Sequence, residues 1–121
     1  MNKIDESALD VAAIAKLRQL GGEKFAGDMI ALFFEYAPQR LAAALAAAQA
    51  GDLAALQKAV HPLKSSAGQI GARRVQDLAA QIEKLATEKQ TERIGLLLRQ
   101  LEEAISQVKP LLEAQRHQAP P

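Results

Sequence analysis

Apolar residues recur at intervals of three and four along most of this chain, which is the spacing of α-helices that bury one face. The repeat is broken at Gly21-Gly22, at Gly51-Asp52, at Gly71 and in the polar run 87–91. Glycine commonly ends a helix and aspartate commonly begins one, so these breaks mark turns. The pattern predicts a short helix that starts after Asp10, followed by four longer helices.

The repeat is clearest between Gly51 and Gly71. The apolar positions there are Leu53, Leu56, Val60, Leu63, Ala67 and Ile70. Helices joined by very short connections pack antiparallel to their neighbours. We therefore expect an all-α fold, an antiparallel up-down four-helix bundle with a short N-terminal helix packed on it.

Two further expectations concern the buried face of the longest helix and the effect of three prolines. The apolar face of the longest helix is predicted to contain Phe25, Met29, Leu32, Phe33 and Tyr36, continued by Leu41, Leu45 and Ala48. Pro38, Pro62 and Pro110 fall inside predicted helices, where proline removes a backbone donor and crowds the preceding turn. We expect an interruption or bend at each proline, and at Pro62 a kink that helps to expose His61.

Composition excludes several classes of function. The 121 residues carry fifteen basic and fourteen acidic side chains, a net charge of +1, which is too small a surplus to neutralise the phosphates of a nucleic acid. With no cysteine and two histidines, the chain has few ligands for a metal ion. The N-terminus lacks the basic start and apolar run of a secretory signal, and the longest apolar segments are interrupted by charges at helical spacing. We expect a cytoplasmic monomer that binds neither membranes nor nucleic acids.

One helix face carries candidate chemistry beside the core repeat. Lys64, Ser65 and Gly68 follow His61 by three, four and seven residues, so the four share a face. Histidine titrates near pH ~6.5, so a neutral imidazole nitrogen is available as a nucleophile for a phosphoryl group. A lysine one turn away can balance the arriving negative charge. Gly68 removes bulk from the same face, which favours close approach by another protein.

A carboxylate on the next helix is predicted at the same height. His61 lies ten residues before Gly71 and Glu83 twelve after it, and each helical residue advances about 1.5 Å along the hairpin. If Glu83 points toward His61, it accepts a hydrogen bond from Nδ1 and leaves Nε2 free. The alternative is an ordinary surface carboxylate.

The segment His61-Pro62-Leu63-Lys64-Ser65-Ser66-Ala67-Gly68-Gln69-Ile70-Gly71-Ala72 resembles the H-x-L-K-G-S-x-x-x-G-A motif of the histidine-containing phosphotransfer (HPt) domains. The resemblance implies that His61 is phosphorylated and that Lys64 is the cation beside the phosphate. In the family, a Gln or Glu twenty-two residues after the histidine often bonds its ring, and Glu83 holds that place. Ser65 departs from the usual glycine and adds a side chain where a partner would approach.

The resemblance also implies partners. We expect a phosphorelay protein that accepts a phosphoryl group from the receiver domain of a hybrid sensor histidine kinase and passes it to a response-regulator receiver. A phosphate-binding G-x-x-x-x-G-K-[ST] loop is absent from the sequence, so we expect no ATP site and no cofactor, with Mg²⁺ carried by the receiver. Arg73 and Arg74 begin the next helix, where they either meet an acidic receiver or are merely solvated.

Two alternatives stay open at this point. The chain can be the phosphoacceptor domain of a chemotaxis-type histidine kinase, which Glu83 in place of Gln slightly favours. It can also be a helical adaptor that binds partners without phosphate. In either case we expect one domain over residues 1–115 and a disordered tail over 116–121.

Overall fold

The computed structural model describes residues 8–116, which form four helices. These are α1 (Val11–Gln49), α2 (Leu53–Ile70), α3 (Arg73–Thr87) and α4 (Ile94–Arg116). Each helix packs against two others in the ring order α1, α2, α3, α4, and α4 closes the ring against α1. Because the connections are short, neighbouring helices run antiparallel. The predicted all-α bundle is confirmed.

Local sequence signals set the helix ends. The Asp10 carboxylate accepts a hydrogen bond from the Ala12 N–H at 3.0 Å, and the Asp52 carboxylate accepts one from the Ala55 N–H at 3.0 Å, so each caps the helix that follows it. Gly71 ends α2 in the left-handed conformation, with φ of 81°. The α2–α3 turn therefore returns the chain at once and places these two helices side by side.

The first part of α1 packs across one end of the bundle. At Gly22 the backbone leaves helical geometry (φ 88°, ψ −179°), so residues 11–21 form a short helix at an angle to residues 23–49. The Asp10 N–H donates to the Gly71 carbonyl at 2.7 Å, and the Arg18 guanidinium donates to the Gln115 carbonyl at 2.9 Å. The short helix thus joins the α2–α3 turn to the end of α4.

The core face of α1 differs from the predicted one by about one position. Leu32 is 57% exposed, and Phe25 and Leu45 are also exposed. The buried residues between 23 and 49 are Ala26, Ile30, Phe33, Ala37, Leu41, Ala44 and Ala47. Four of these seven residues are alanines, which let the neighbouring helices come close, and Ile30, Phe33 and Leu41 fill the core between them.

The prolines do not interrupt their helices. Helices α1, α2 and α4 continue through Pro38, Pro62 and Pro110, so none of these prolines interrupts its helix, and a bend at Pro62 stays a prediction. A proline in α2 leaves the carbonyl of Lys58, four residues earlier, without its helical donor, on the exposed side of the helix where Lys58 lies. His61 is exposed because it lies beside the buried seam of α2 and faces solvent.

Helix α4 continues to Arg116, which lies 3.4 Å from Glu113 in an ion pair, so the predicted tail does not begin at residue 116. Residues 117–121 of that predicted tail lie outside the described residues. Within residues 8–116, no helix is both long enough and apolar enough to cross a membrane.

Candidate functional site

His61 lies in the middle of α2 on its solvent side. Its side chain is 65% exposed, whereas its neighbour Val60 is fully buried. The buried residues Leu56, Val60 and Leu63 fix the rotation of α2 against the core. The same packing that builds the bundle therefore holds the imidazole at the surface.

Glu83 of α3 connects His61 to Lys64. Its Oε2 lies 2.6 Å from Nδ1 of His61, and its Oε1 forms an ion pair with the Lys64 ammonium. The side chains of Glu83 and Lys64 are 21% and 32% exposed, so this network is half-buried between the two helices. The structure brings the three predicted residues together, with one carboxylate facing two nitrogen donors.

The charge of Glu83 is stabilised by these two partners. Partial burial by itself raises the pKa of Glu83, because a carboxylate loses solvation there. The hydrogen bonds from Lys64 and His61 and the positive charges of these groups outweigh that effect, and the pKa of Glu83 is held below its ordinary value. The site therefore holds an ionised carboxylate at neutral pH.

An ionised Glu83 selects one form of the neutral imidazole. A carboxylate can only accept hydrogen bonds, so Nδ1 must carry the proton that it donates to Glu83. Nε2 is then unprotonated and points away from α3 toward solvent. His61 thus presents a free lone pair at the protein surface.

A second polar contact joins α2 and α3 one turn away. The Gln57 amide donates to Oγ1 of Thr87 at 3.0 Å, and Thr87 in turn donates to the Glu83 carbonyl at 2.9 Å. Sequence reasoning missed this pair. Gln57 lies four residues before His61, so helical periodicity places it on the same face of α2. Thr87 lies four residues after Glu83, on the same face of α3.

The outer face of α2 is less open at Gly68 than predicted. A Cβ at Gly68 would lie 2.5 Å from Nε2 of Gln76, so the Gln76 side chain from α3 already fills that space. Ser65 is exposed, and the Ser66 hydroxyl donates to the Leu63 carbonyl at 3.3 Å. Close approach by another protein therefore depends on the surface around His61 and Ser65.

Arg73 and Arg74 are exposed at the start of α3, beyond the α2–α3 turn. Arg73 and Arg74 lie about 10–12 Å along the hairpin from His61, since His61 is ten residues before Gly71 and the arginines follow Gly71 by two and three. The Arg73 guanidinium is 3.8 Å from the Asp10 carboxylate. The structure does not bring either arginine to the imidazole, so any contribution that they make to partner binding comes from outside the network of His61, Glu83 and Lys64.

The described part of the chain contains no group of three His, Cys, Asp or Glu side chains that could hold a metal ion. The polar groups that contact one another at the site are one imidazole, one carboxylate, one ammonium and neutral amide and hydroxyl groups. This set suits a nucleophile with a neighbouring positive charge.

The sequence pattern of the Hpt domain family matches residues 28–111, and the chain belongs to that family. Among solved structures, histidine-containing phosphotransfer protein B (HptB) from Pseudomonas aeruginosa PAO1 is similar over 96% of this chain and 100% of its own, with a TM-score of 0.88 and 25% identity. A rice protein described as a histidine-containing phosphotransfer protein shares the fold, with a TM-score of 0.81, 16% identity and coverage of 93% of this chain and 81% of its own. No curated protein sequence matches significantly.

Proposed function

We propose that His61 takes a phosphoryl group from an aspartyl-phosphate receiver domain and passes it to a response-regulator receiver, within the histidine phosphotransfer role of the family. The observation that carries this proposal is the exposed imidazole whose Nδ1 lies 2.6 Å from Glu83, because it leaves Nε2 free as the nucleophile. The cytoplasmic location expected from the sequence belongs to the same proposal.

The transfer step balances without a free proton. The Nε2 lone pair of neutral His61 attacks phosphorus, the bond between phosphorus and the receiver carboxylate oxygen breaks, and the aspartate leaves as a carboxylate. The ring keeps the proton on Nδ1 and becomes positively charged, while the phosphoryl group carries about two negative charges. Ionised Glu83 stabilises the positive ring through the Nδ1 hydrogen bond. Transfer to the next receiver reverses these changes.

Lys64 supplies positive charge beside the reaction. Its ammonium pairs with Glu83, so it offsets the negative charge of that carboxylate next to the incoming phosphoryl group. Without this offset, an ionised Glu83 would repel the phosphate that its neighbour has to accept. The chain supplies a nucleophile and its electrostatic surroundings, and the receiver supplies the aspartate and, on our proposal, the Mg²⁺.

The docking surface that we propose surrounds His61 on α2 and extends onto α1. Leu20 is 72% exposed in the short helix and lines a groove with Gly68 and Gln69 near the end of α2, and Leu32 is 57% exposed on residues 23–49 of α1. Exposed apolar residues of this kind fit a modest, transient protein interface.

The test is phosphotransfer profiling of the full chain against the phosphorylated receivers of its organism. Wild-type protein is expected to take label from at least one receiver as an acid-labile phosphoramidate, and His61→Gln is expected to take none while keeping its circular dichroism spectrum. Equal labelling of His61→Gln and wild type would overturn His61 as the acceptor. A wild-type chain that took no label from any receiver would contradict the relay.

Glu83 in place of Gln also favours a second candidate, the phosphoacceptor domain of a chemotaxis-type histidine kinase. In that case an ATP-dependent kinase domain labels His61 directly, and phosphorylated receivers do not. Labelling from ATP with a kinase domain, set beside labelling from receivers, separates the two.

A further inference from the structure

Two lysines flank His61 on α2, and they lie on opposite sides of it. Lys58 precedes His61 by three residues and Lys64 follows it by three. Three residues turn the helix by about 300°, so each lysine lies about 60° from His61, in opposite senses. Lys64 contacts Glu83 and is therefore on the α3 side, which places Lys58 on the side away from α3.

The two lysines also differ in their partners. The Lys64 ammonium is paired with Glu83 and its side chain is 32% exposed. Lys58 is exposed, and within residues 8–116 no carboxylate forms an ion pair with it. Lys58 therefore keeps a positive charge that no acidic group of the described chain neutralises.

The orientation of the imidazole favours Lys58 as the neighbour of Nε2. Helical side chains lean toward the N-terminus of their helix, so the ring of His61 lies over the turn that contains Gln57 and Lys58. Nδ1 faces Glu83, so Nε2 faces away from α3, toward the side on which Lys58 lies. One shallow depression is lined by Gln57, Lys58, His61, Pro62 and Glu83.

We propose that Lys58 contacts the phosphoryl group on Nε2 and is a second phosphate-side cation of the site. This inference rests on the proposed function of His61. The flexible four-carbon stem of Lys58 lets its ammonium reach oxygens bonded at Nε2, since Cβ atoms three residues apart in a helix are about 5–6 Å apart. Lys64 neutralises Glu83 on one side of the ring, and Lys58 neutralises the phosphoryl group on the other.

The first test is the single-turnover rate of transfer from a phosphorylated receiver, with this chain in saturating excess. Lys58→Ala is expected to lower the rate about fivefold, the effect of one partly solvated charge contact, and Lys58→Arg is expected to restore most of it. The matched control is Lys109→Ala, which removes an equal charge on α4, where Lys109 lies 5.7 Å from the Phe34 ring of α1. The control is expected to transfer at the wild-type rate.

The second test needs no receiver during the measurement. The purified phosphorylated chain is titrated while the ³¹P resonance of its phosphohistidine is followed. A nearby cation stabilises the doubly ionised phosphoryl group, so Lys58→Ala is expected to raise the pKa of its last ionisation, and Lys58→Arg and Lys109→Ala are expected to leave it unchanged. A role of Lys58 in receiver docking alone would not move this pKa.

The outcomes separate this inference from the proposed function. If wild-type protein is labelled on His61 and Lys58→Ala matches it in both the rate and the ³¹P titration, the role of Lys58 is overturned and His61 stands. An equal loss of rate in Lys109→Ala would also overturn it, because the effect would then come from net charge. If wild-type protein takes no label, the failure belongs to the proposed function.

Discussion

The α2–α3 hairpin has two regions that join the helices in different ways, one by close packing and the other by polar contacts. At its turn, Gly71 lies against the backbone of Asp10 with almost no spare volume: a Cβ there would lie 2.4 Å from the Asp10 carbonyl oxygen. On its outer seam, defined by Gln57, His61, Lys64, Glu83 and Thr87, polar groups meet in partial contact with water.

This difference means that the turn contributes mainly to stability and the outer seam mainly to the proposed transfer. Close packing without charge tolerates little change, because protein interiors respond to a single added methyl group. Surface hydrogen bonds and ion pairs contribute little to stability, because water competes with them. Substitutions at the turn are therefore expected to change the free energy of unfolding, and substitutions on the outer seam are expected to change the rate of transfer.

The largest effect expected on stability is at the turn. Gly71→Ala places a methyl group against Asp10 and forces alanine into a left-handed conformation, with φ of 81°. We expect the free energy of unfolding to fall by about 2–4 kcal/mol, measured by urea denaturation. Gly51→Ala is the matched control, because Gly51 has φ of 70° and no atom within 4 Å of its Cβ position.

Gly51→Ala is expected to lower the free energy of unfolding by about 1–2 kcal/mol, the cost of the left-handed backbone alone. Equal losses in the two variants would show that close packing of Gly71 against Asp10 adds nothing to stability, which would contradict our description of the turn.

The next effect is on the outer seam. Glu83→Gln keeps an oxygen that can accept from Nδ1 but removes the charge that stabilises the positive ring. We expect the single-turnover transfer rate to fall about tenfold, as for other groups that orient a reactive histidine, with little change in thermal stability. The matched control is Glu88→Gln, an exposed glutamate just beyond α3 that makes no ion pair within residues 8–116. A loss of stability in Glu83→Gln without a change in the transfer rate would show that Glu83 stabilises the fold and does not assist the transfer.

The fold was predictable because it follows from local signals. Asp52 caps α2 and Gly71 ends it, and short connections allow few arrangements of helices. The core face of α1 was misplaced because large residues such as Leu32 dominate a hydrophobic pattern, whereas four of the seven buried residues between 23 and 49 are alanines. That α2 continues through Pro62 was not predictable, because the cost of a proline depends on how the surroundings accommodate the freed Lys58 carbonyl.

The site was predictable to the extent that it follows helical spacing. The height of Glu83 came from counting residues, but its direction and its second bond, to Lys64, depend on the rotation of α3 against α2. The filling of the space beside Gly68 by Gln76 likewise depends on side chains from another helix.

Acid is expected to remove the small contribution that ionised Glu83 makes to stability. The pKa of Glu83 is lower in the folded chain than its ordinary value of 4.5, so the unfolded chain binds the proton more tightly. The stabilisation is therefore fully present above pH about 4.5 and is lost as the pH falls through the folded pKa. The difference in free energy of unfolding between wild type and Glu83→Gln, measured by urea denaturation across this range, should shrink on acidification. A difference that grew as the pH fell would show that the pKa is raised.

The smallest effect is expected at Ser65, which is exposed one turn from His61. Ser65→Gly removes a side chain that a receiver must accommodate, so we expect transfer to at least one poorly used receiver to rise about twofold to threefold. Glycine in a helix lowers stability, here by about 0.5 kcal/mol. Lys58 and Lys64 remain in place, so transfer from the best receiver should stay unchanged, and this rate is the internal reference for the variant. A uniform change for all receivers would mean that Ser65 acts on the imidazole and not on the choice of partner.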